Sequence, residues 1–143
     1  MLAKLKVFSD GGARGNPGPA AAAFLIFSED GELVKAESRY LGRRTNNQAE
    51  YEALIAALEF AVQLGADDVM CYLDSELVGK HLTGEYSVKN PELRRRWSKV
   101  QELKRCFKQA RFINVPRTNK YIQEADALVN ERLDREGKLP FTA

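Results

Sequence analysis

Four acidic residues stand where a carboxylate needs a reason. Asp10 closes the apolar run Leu5-Lys6-Val7-Phe8 and is followed at once by Gly11, Gly12, Gly15 and Gly18, backbone that turns tightly and lets another chain segment come close. Asp74 closes a second apolar run, Val69-Met70-Cys71-Tyr72-Leu73. Glu50 and Asp126 fall on apolar stripes of helical segments. At about 100° per residue, Ala53, Leu54, Ala57, Ala61 and Leu64 lie within about 60° of Glu50, and Ile122, Val129 and Leu133 share the side of Asp126. A buried carboxylate wants a cation, a proton or a metal. Gathered without basic partners, four of them would repel and take up protons. Divalent cations remove that conflict, and hard oxygen donors select Mg²⁺ or Mn²⁺ over zinc. Two such ions about 4 Å apart clamp the attacking water and the leaving oxygen of an in-line phosphodiester displacement. No serine–histidine pairing competes, because His81 is the only histidine.

Ordinary readings exist for each residue alone. The glycines suit a plain hairpin turn, and Asp74 suits a helix N-cap unless Ser75 takes that role. Glu50 could close a capping box with Asn47, although Thr45-x-x-Gln48 already has that spacing.

The elements that must position these acids follow from periodicity and turn residues. Strand-like runs at Leu5–Phe8, Ala20–Phe27 and Leu33–Leu41, the last two joined by an Asp-Gly turn, predict three antiparallel strands. A helix from Thr45 to about Leu64 stops at Gly65. The run Val69–Leu73 reads as a strand buried on both faces, reached by a parallel connection because a helix precedes it. A short helix over Leu77–Gly84, a connector, a helix over Pro91–Phe107, a last strand at Phe112–Val115 and a helix from about Asn119 to Arg135 complete the chain. Asp10 and Asp74 then sit at carboxyl ends of neighbouring strands, where open α/β sheets place their sites.

Composition sets the bounds. The 143 residues, 44% hydrophobic and 29% charged, suit one domain with a proper core. No apolar run approaches membrane-spanning length and the N-terminus lacks a cleavable leader pattern, so a soluble cytoplasmic protein without membrane contact is expected. Cys71 and Cys106 lack metal-ligand spacing and read as buried thiols. A net charge of +2 is too small to argue for nucleic acid, but Arg43-Arg44, the run from Arg94 to Lys108, and Arg117 with Lys120 are local basic clusters.

In order and approximate spacing, Asp10-Gly-Gly-x-Arg-Gly-Asn-Pro-Gly, Thr45-Asn-Asn-Gln-Ala-Glu50-Tyr, Asp74-Ser and Glu124-Ala-Asp126 resemble the motifs of type 1 ribonuclease H, over nearly the whole chain. That resemblance implies an α/β, ribonuclease H-like fold: a mixed five-stranded sheet flanked by helices on both faces, its third strand antiparallel to its neighbours. It implies one catalytic domain over 1–136 and a loose tail over 137–143. It further implies an endoribonuclease that hydrolyses the RNA strand of RNA/DNA hybrids with two Mg²⁺ ions, Mn²⁺ being a substitute. Asp10, Glu50, Asp74 and Asp126 would be its metal-binding catalytic carboxylates. Gly11, Gly12, Asn16, Asn46 and Gln48 would meet the nucleic acid, with Thr45 near a DNA phosphate. Such contacts fit an enzyme that reads groove shape, phosphates and 2′-hydroxyls. A monomer is expected. The same fold also serves nucleases acting on double-stranded RNA or DNA junctions, and a non-catalytic nucleic-acid-binding module is the remaining alternative, which loss of an acid would signal.

The chain departs from the family pattern at several points. The loop before Asp126, Arg117–Gln123, has no histidine, leaving Lys120 as the candidate substitute. Ile122 stands four residues before Asp126, where an asparagine is common. Glu76 places a negative charge after Asp74-Ser75, and Leu82–Pro91 is too short for a basic protrusion. The basic run from Arg94 to Lys108 is therefore expected to support a weaker, salt-sensitive grip on a hybrid.

Overall fold

The computed structural model describes residues 3–137. Five strands form one sheet: β1 (Lys4–Ala13), β2 (Gly18–Ser28), β3 (Leu33–Arg44), β4 (Asp68–Leu73) and β5 (Gln109–Asn114), in the order β3-β2-β1-β4-β5. The strand that opposes its neighbours is β2, not the third strand as the resemblance implied. β2 runs antiparallel to both β1 and β3, while β4 and β5 run parallel to β1. Two tight hairpins at the start of the chain leave no other arrangement, since each reverses direction once. β2 is an inner strand, buried along nearly its whole length, which its uninterrupted sequence Ala-Ala-Ala-Ala-Phe-Leu-Ile-Phe allows.

The ends of β1 differ from the sequence reading in a way that matters. Its parallel ladder with β4 stops at Phe8↔Tyr72, but its antiparallel ladder with β2 continues through Asp10↔Ala23 to Ala13↔Ala20. Asp10 thus lies inside a strand whose β4 side has already opened. The carboxylate is held by a paired backbone and faces a gap.

Helices cover both faces. α1 (Asn46–Gln63), α2 (Glu76–Thr83) and α3 (Pro91–Lys104) share one core with Leu5, Val7, Phe24 and Ile26, to which they contribute Tyr51, Leu54, Leu58, Val78, Leu82 and Val100. α4 (Lys120–Gly137) covers the other face, where Ile122 packs with Phe8, Leu25 and Phe27, and Val129 and Leu133 pack on Ala21 and Ala23. Gly137 is the last residue of α4, and the rest of the expected tail lies outside the described residues.

The local signals for α1 hold as read. The Thr45 hydroxyl accepts from the Gln48 N–H at 3.1 Å, and the Gln48 side chain accepts from the Thr45 N–H at 3.0 Å. Gly65, with φ of 76°, follows its C-cap. α3 ends at Lys104, short of Phe107, and β5 begins at Gln109, ahead of Phe112. His81 is buried and bonds through Nδ1 to the buried Tyr51 hydroxyl at 2.8 Å, tying α2 to α1. Both cysteines are free: Cys71 is buried as read, whereas Cys106, just past the end of α3, is exposed. Among the described residues no helix is long and apolar enough to cross a membrane.

One close approach joins the two layers that carry the acids. A Cβ on Gly11 would run into the Ala49 carbonyl and meet the Glu50 nitrogen at 2.6 Å, whereas one on Gly12 would meet only Val129 Cγ1 at 3.7 Å. Gly11→Ala must push the first turns of α1 off β1 and is expected to lose about 3 kcal/mol or more of stability. Gly12→Ala is expected to lose less than about 1 kcal/mol. Urea unfolding of the two variants side by side measures the difference.

Candidate active site

Each acid reaches the site from a different element. Asp10 projects from β1 beyond its last pairing with β4, and Asp74 directly follows β4. Ser75, not Asp74, caps α2 by accepting from the Val78 N–H at 3.2 Å, which leaves the Asp74 carboxylate free. Glu50 stands in the first turns of α1. It makes no capping box with Asn47; its Oε1 accepts the Gly11 N–H at 2.5 Å, across the contact that glycine permits. Oxygens of Asp10, Glu50 and Asp74 all lie within 4.8 Å of one another. Asp10 and Glu50 are buried and Asp74 half-buried. Asp126 differs from the sequence reading: it is exposed, at the rim of the same cavity rather than on the buried stripe of α4. Ile122, Ala125, Val129 and Leu133 form that stripe, and Asp126 sits one residue beside it.

The cavity has a volume of about 570 Å³, and all four acids line it together with Arg14, Asn46, Asn47, Arg117 and Asn130. No ion pair among the described residues includes any of the four acids. Burial is the largest cause that raises the Asp10 and Glu50 carboxyls above the ordinary range. The Glu50 charge raises Asp10 further, and Asp74 and Asp126 raise both. For Glu50 the Gly11 N–H and the bond to Asp10 act in the opposite direction. Three clustered carboxylates with hard oxygen donors and no basic partner fit a divalent cation.

The residues expected to meet nucleic acid divide into two groups. Gly11, Gly12 and Asn46 line the cavity. Thr45 and Gln48 spend their side chains on the capping box, and Asn16 accepts from the Asn46 N–H at 3.0 Å while Asn46 Oδ1 accepts from the Ala13 N–H at 2.8 Å. These bonds bind the glycine loop to the start of α1. Sequence reasoning passed over Arg14, Asn47 and Asn130 as parts of the site, and its candidate Lys120 lies over the Tyr121 ring at 5.4 Å while Arg117 lines the cavity. For Asn130 the signal was available: it stands one helical turn after Asp126.

The basic run on α3 is largely committed to internal pairs. Arg96, 12% exposed, meets Glu52 at 3.1 Å and Glu92 at 3.2 Å, and Arg95 meets Glu92 at 2.6 Å. Arg94 lies 5.8 Å from the Trp97 ring centre. Glu52 also holds Arg44 at 2.8 Å, so one carboxylate of α1 joins β3 to α3. Glu76 is paired with Lys80 at 3.0 Å.

Comparison with known proteins bears on this arrangement. A family model described as reverse transcriptase-like matches residues 8–132. The ribonuclease HI of Halobacterium salinarum is 46% identical over 131 residues, 92% of this chain and 65% of that protein. The chain belongs to the type 1 ribonuclease H family. Among solved ribonuclease H structures, RNase H1 from the same archaeon superposes with a TM-score of 0.89 at 45% identity, covering 93% of this chain and 99% of that one. LC11-RNase H1, solved in complex with an RNA/DNA hybrid, superposes with a TM-score of 0.84 at 39% identity, covering 92% and 98%. The bifunctional protein Rv2228c of Mycobacterium tuberculosis is 41% identical over 133 residues, 92% of this chain but 36% of that protein. The chain therefore spans just under two thirds of the Halobacterium ribonuclease H and about a third of the mycobacterial protein.

The raised carboxyls have a consequence for stability. In the folded metal-free protein Asp10 and Glu50 hold protons that the unfolded chain releases above about pH 4, so the stability these two groups contribute falls as pH rises from there through neutrality. Asp10→Asn removes a buried carboxyl that must take up a proton on folding, and is expected to stabilise the metal-free protein at neutral pH by about 1–2 kcal/mol, a rise in melting temperature of several degrees. Saturating Mg²⁺ should raise the wild type more than the variant and close that gap. Thermal melts at several pH values, with and without Mg²⁺, measure both effects.

Proposed function

We propose that this chain is an endoribonuclease hydrolysing the RNA strand of RNA/DNA hybrids, and that Asp10, Glu50, Asp74 and Asp126 are its metal-binding catalytic carboxylates. The observation that carries the reading is the trio Asp10, Glu50 and Asp74, within 4.8 Å, in an open cavity of a ribonuclease H chain. The similar LC11-RNase H1, solved with a hybrid, supports the substrate class.

Asp10, Glu50 and Asp74 would hold divalent cations, Mg²⁺ with Mn²⁺ as substitute, and Asp126 would complete the donor set from the rim. Bound there, two such ions would supply activation of the attacking water and charge stabilisation at the leaving oxygen. The chain's own residues supply the rest. The Gly11 N–H holds one oxygen of Glu50 and so orients the other. The β1–β2 ladder keeps Asp10 from retreating out of the site. The exposed amide of Asn46, tied to the loop at Ala13, presents a short polar edge beside the carboxylates, suited to sugar hydroxyls and phosphates rather than to base identity. Arg117 at the cavity wall adds positive charge where a phosphate would enter.

Cleavage of an end-labelled RNA strand, paired with DNA or with RNA, in Mg²⁺ and in EDTA, tests the proposal. Hybrid is expected to be cut only with metal, and Asp10→Asn to lower kcat about 10³-fold or more, equivalent to about 4 kcal/mol of transition-state stabilisation. The RNA duplex lane sets the breadth of substrate. Uncut hybrid in every lane, from correctly folded protein, would leave the binding-module reading.

A further inference from the structure

We infer that Asn130 and Arg14 are positioning residues for Asp126, an inference that rests on the proposed catalytic role of that carboxylate. Asp126 is the one acid of the four outside the tight trio, and it is exposed on α4. Nothing in the trio restrains it. Its carboxylate Oδ2 instead accepts from Asn130 Nδ2 at 3.3 Å, and the same amide donates to the Asp126 carbonyl at 3.1 Å. One carboxylate oxygen is thereby engaged by an amide that lines the same cavity. One turn earlier stands Ile122, which is committed to the core with Phe8, Leu25 and Phe27 and offers the carboxylate no donor. A residue four positions later lies on the same helical stripe, so Asn130 reaches the carboxylate from the opposite side.

Asn130 is in turn tied to the glycine loop. Arg14, the first residue after β1, donates to the Asn130 carbonyl at 3.3 Å and pairs with Asp134 at 2.7 Å. Its own N–H donates to the Pro19 carbonyl at 2.8 Å, so the guanidinium springs from a closed turn. The strap joins the loop that follows Asp10 to the helix that bears Asp126, and sets the distance between the two elements at the cavity mouth. Arg14 and Asp134 are 48% and 56% exposed, and a pair so wet contributes little to stability. Its removal should therefore show in the site rather than in the fold.

The test uses Asn130→Ala, Arg14→Met and Arg14→Lys in the full chain, with Asp126→Asn as reference. Removing a group that orients a metal-binding side chain typically lowers activity or metal affinity about 10-fold or more. The expected result is a fall in kcat of about 10-fold for Asn130→Ala and less for Arg14→Met, with KM for hybrid within about twofold. Arg14→Lys, which keeps the charge opposite Asp134, should restore most of the Arg14→Met loss. In the Asp126→Asn background Asn130→Ala should add nothing, since both act through one carboxylate. Independently of activity, calorimetric titration with Mn²⁺ should show affinity weakened several-fold by Asn130→Ala, with melting temperatures close to wild type. Unchanged kcat and unchanged Mn²⁺ affinity in both Asn130→Ala and Arg14→Met overturn the inference, as does a full additive loss in the Asp126→Asn background. If the wild type cuts no substrate, the proposed function fails and the Mn²⁺ affinities alone decide: weakened by Asn130→Ala, they uphold the inference, and unchanged, they overturn it.

Discussion

The contact on which the site depends is the hydrogen bond from the Gly11 N–H to the Glu50 carboxylate, made where β1 and the start of α1 touch backbone to backbone. Any side chain at position 11 would separate the two elements and draw Glu50 away from Asp10. The neighbouring bonds serve the same contact: Asn46 accepts from Ala13, Asn16 accepts from Asn46, and the Thr45–Gln48 box fixes where the helix begins. Helix, loop and strand thus form one rigid corner, and Asp74 is delivered to it because β4 lies parallel to β1 and ends beside its gap.

That corner is built against its own electrostatics. Two buried carboxyls and a half-buried third would be more stable apart or protonated, and the raised Asp10 and Glu50 carboxyls express that conflict. The rest of the molecule overrides it by packing. β2 is buried along nearly its whole length, and separate apolar clusters on its two faces hold α1 and α4 against the sheet. An acid cluster of this kind is a local instability stabilised from a distance, and a bound divalent cation would relieve it.

Much of this was legible in the chain. Helix stripes, turn glycines and caps located most elements, and the isolation of Glu50 on an apolar face was enough to single it out as a buried carboxylate beside Asp10 and Asp74. The reading went wrong where tertiary contacts decide. The opposed strand is β2, because the direction of each strand depends on pairings that sequence spacing does not state. Asp126 lies off the stripe of α4 because helix periodicity resolves faces only to within about one residue in the wheel, and a rim and a core position differ by less. The commitment of Arg96 and Arg95 to Glu52 and Glu92 was invisible, since a run of like charges reads as free surface until its partners are placed. Arg14 stands in the glycine-rich motif, but its bonds to Asn130 and Asp134 gave no signal, as those partners are remote in sequence.

β1, α1 and β4 bring Asp10, Glu50 and Asp74 together, and the proposed role of that trio is to hold a divalent cation. Its most direct test is the anomalous diffraction of crystals soaked in Mn²⁺. An anomalous peak coordinated by oxygens of these three residues, with the Gly11–Glu50 bond intact, is the result this account requires. Well-ordered crystals with no peak there, or with Mn²⁺ bound elsewhere and the three carboxylates turned apart, would contradict it.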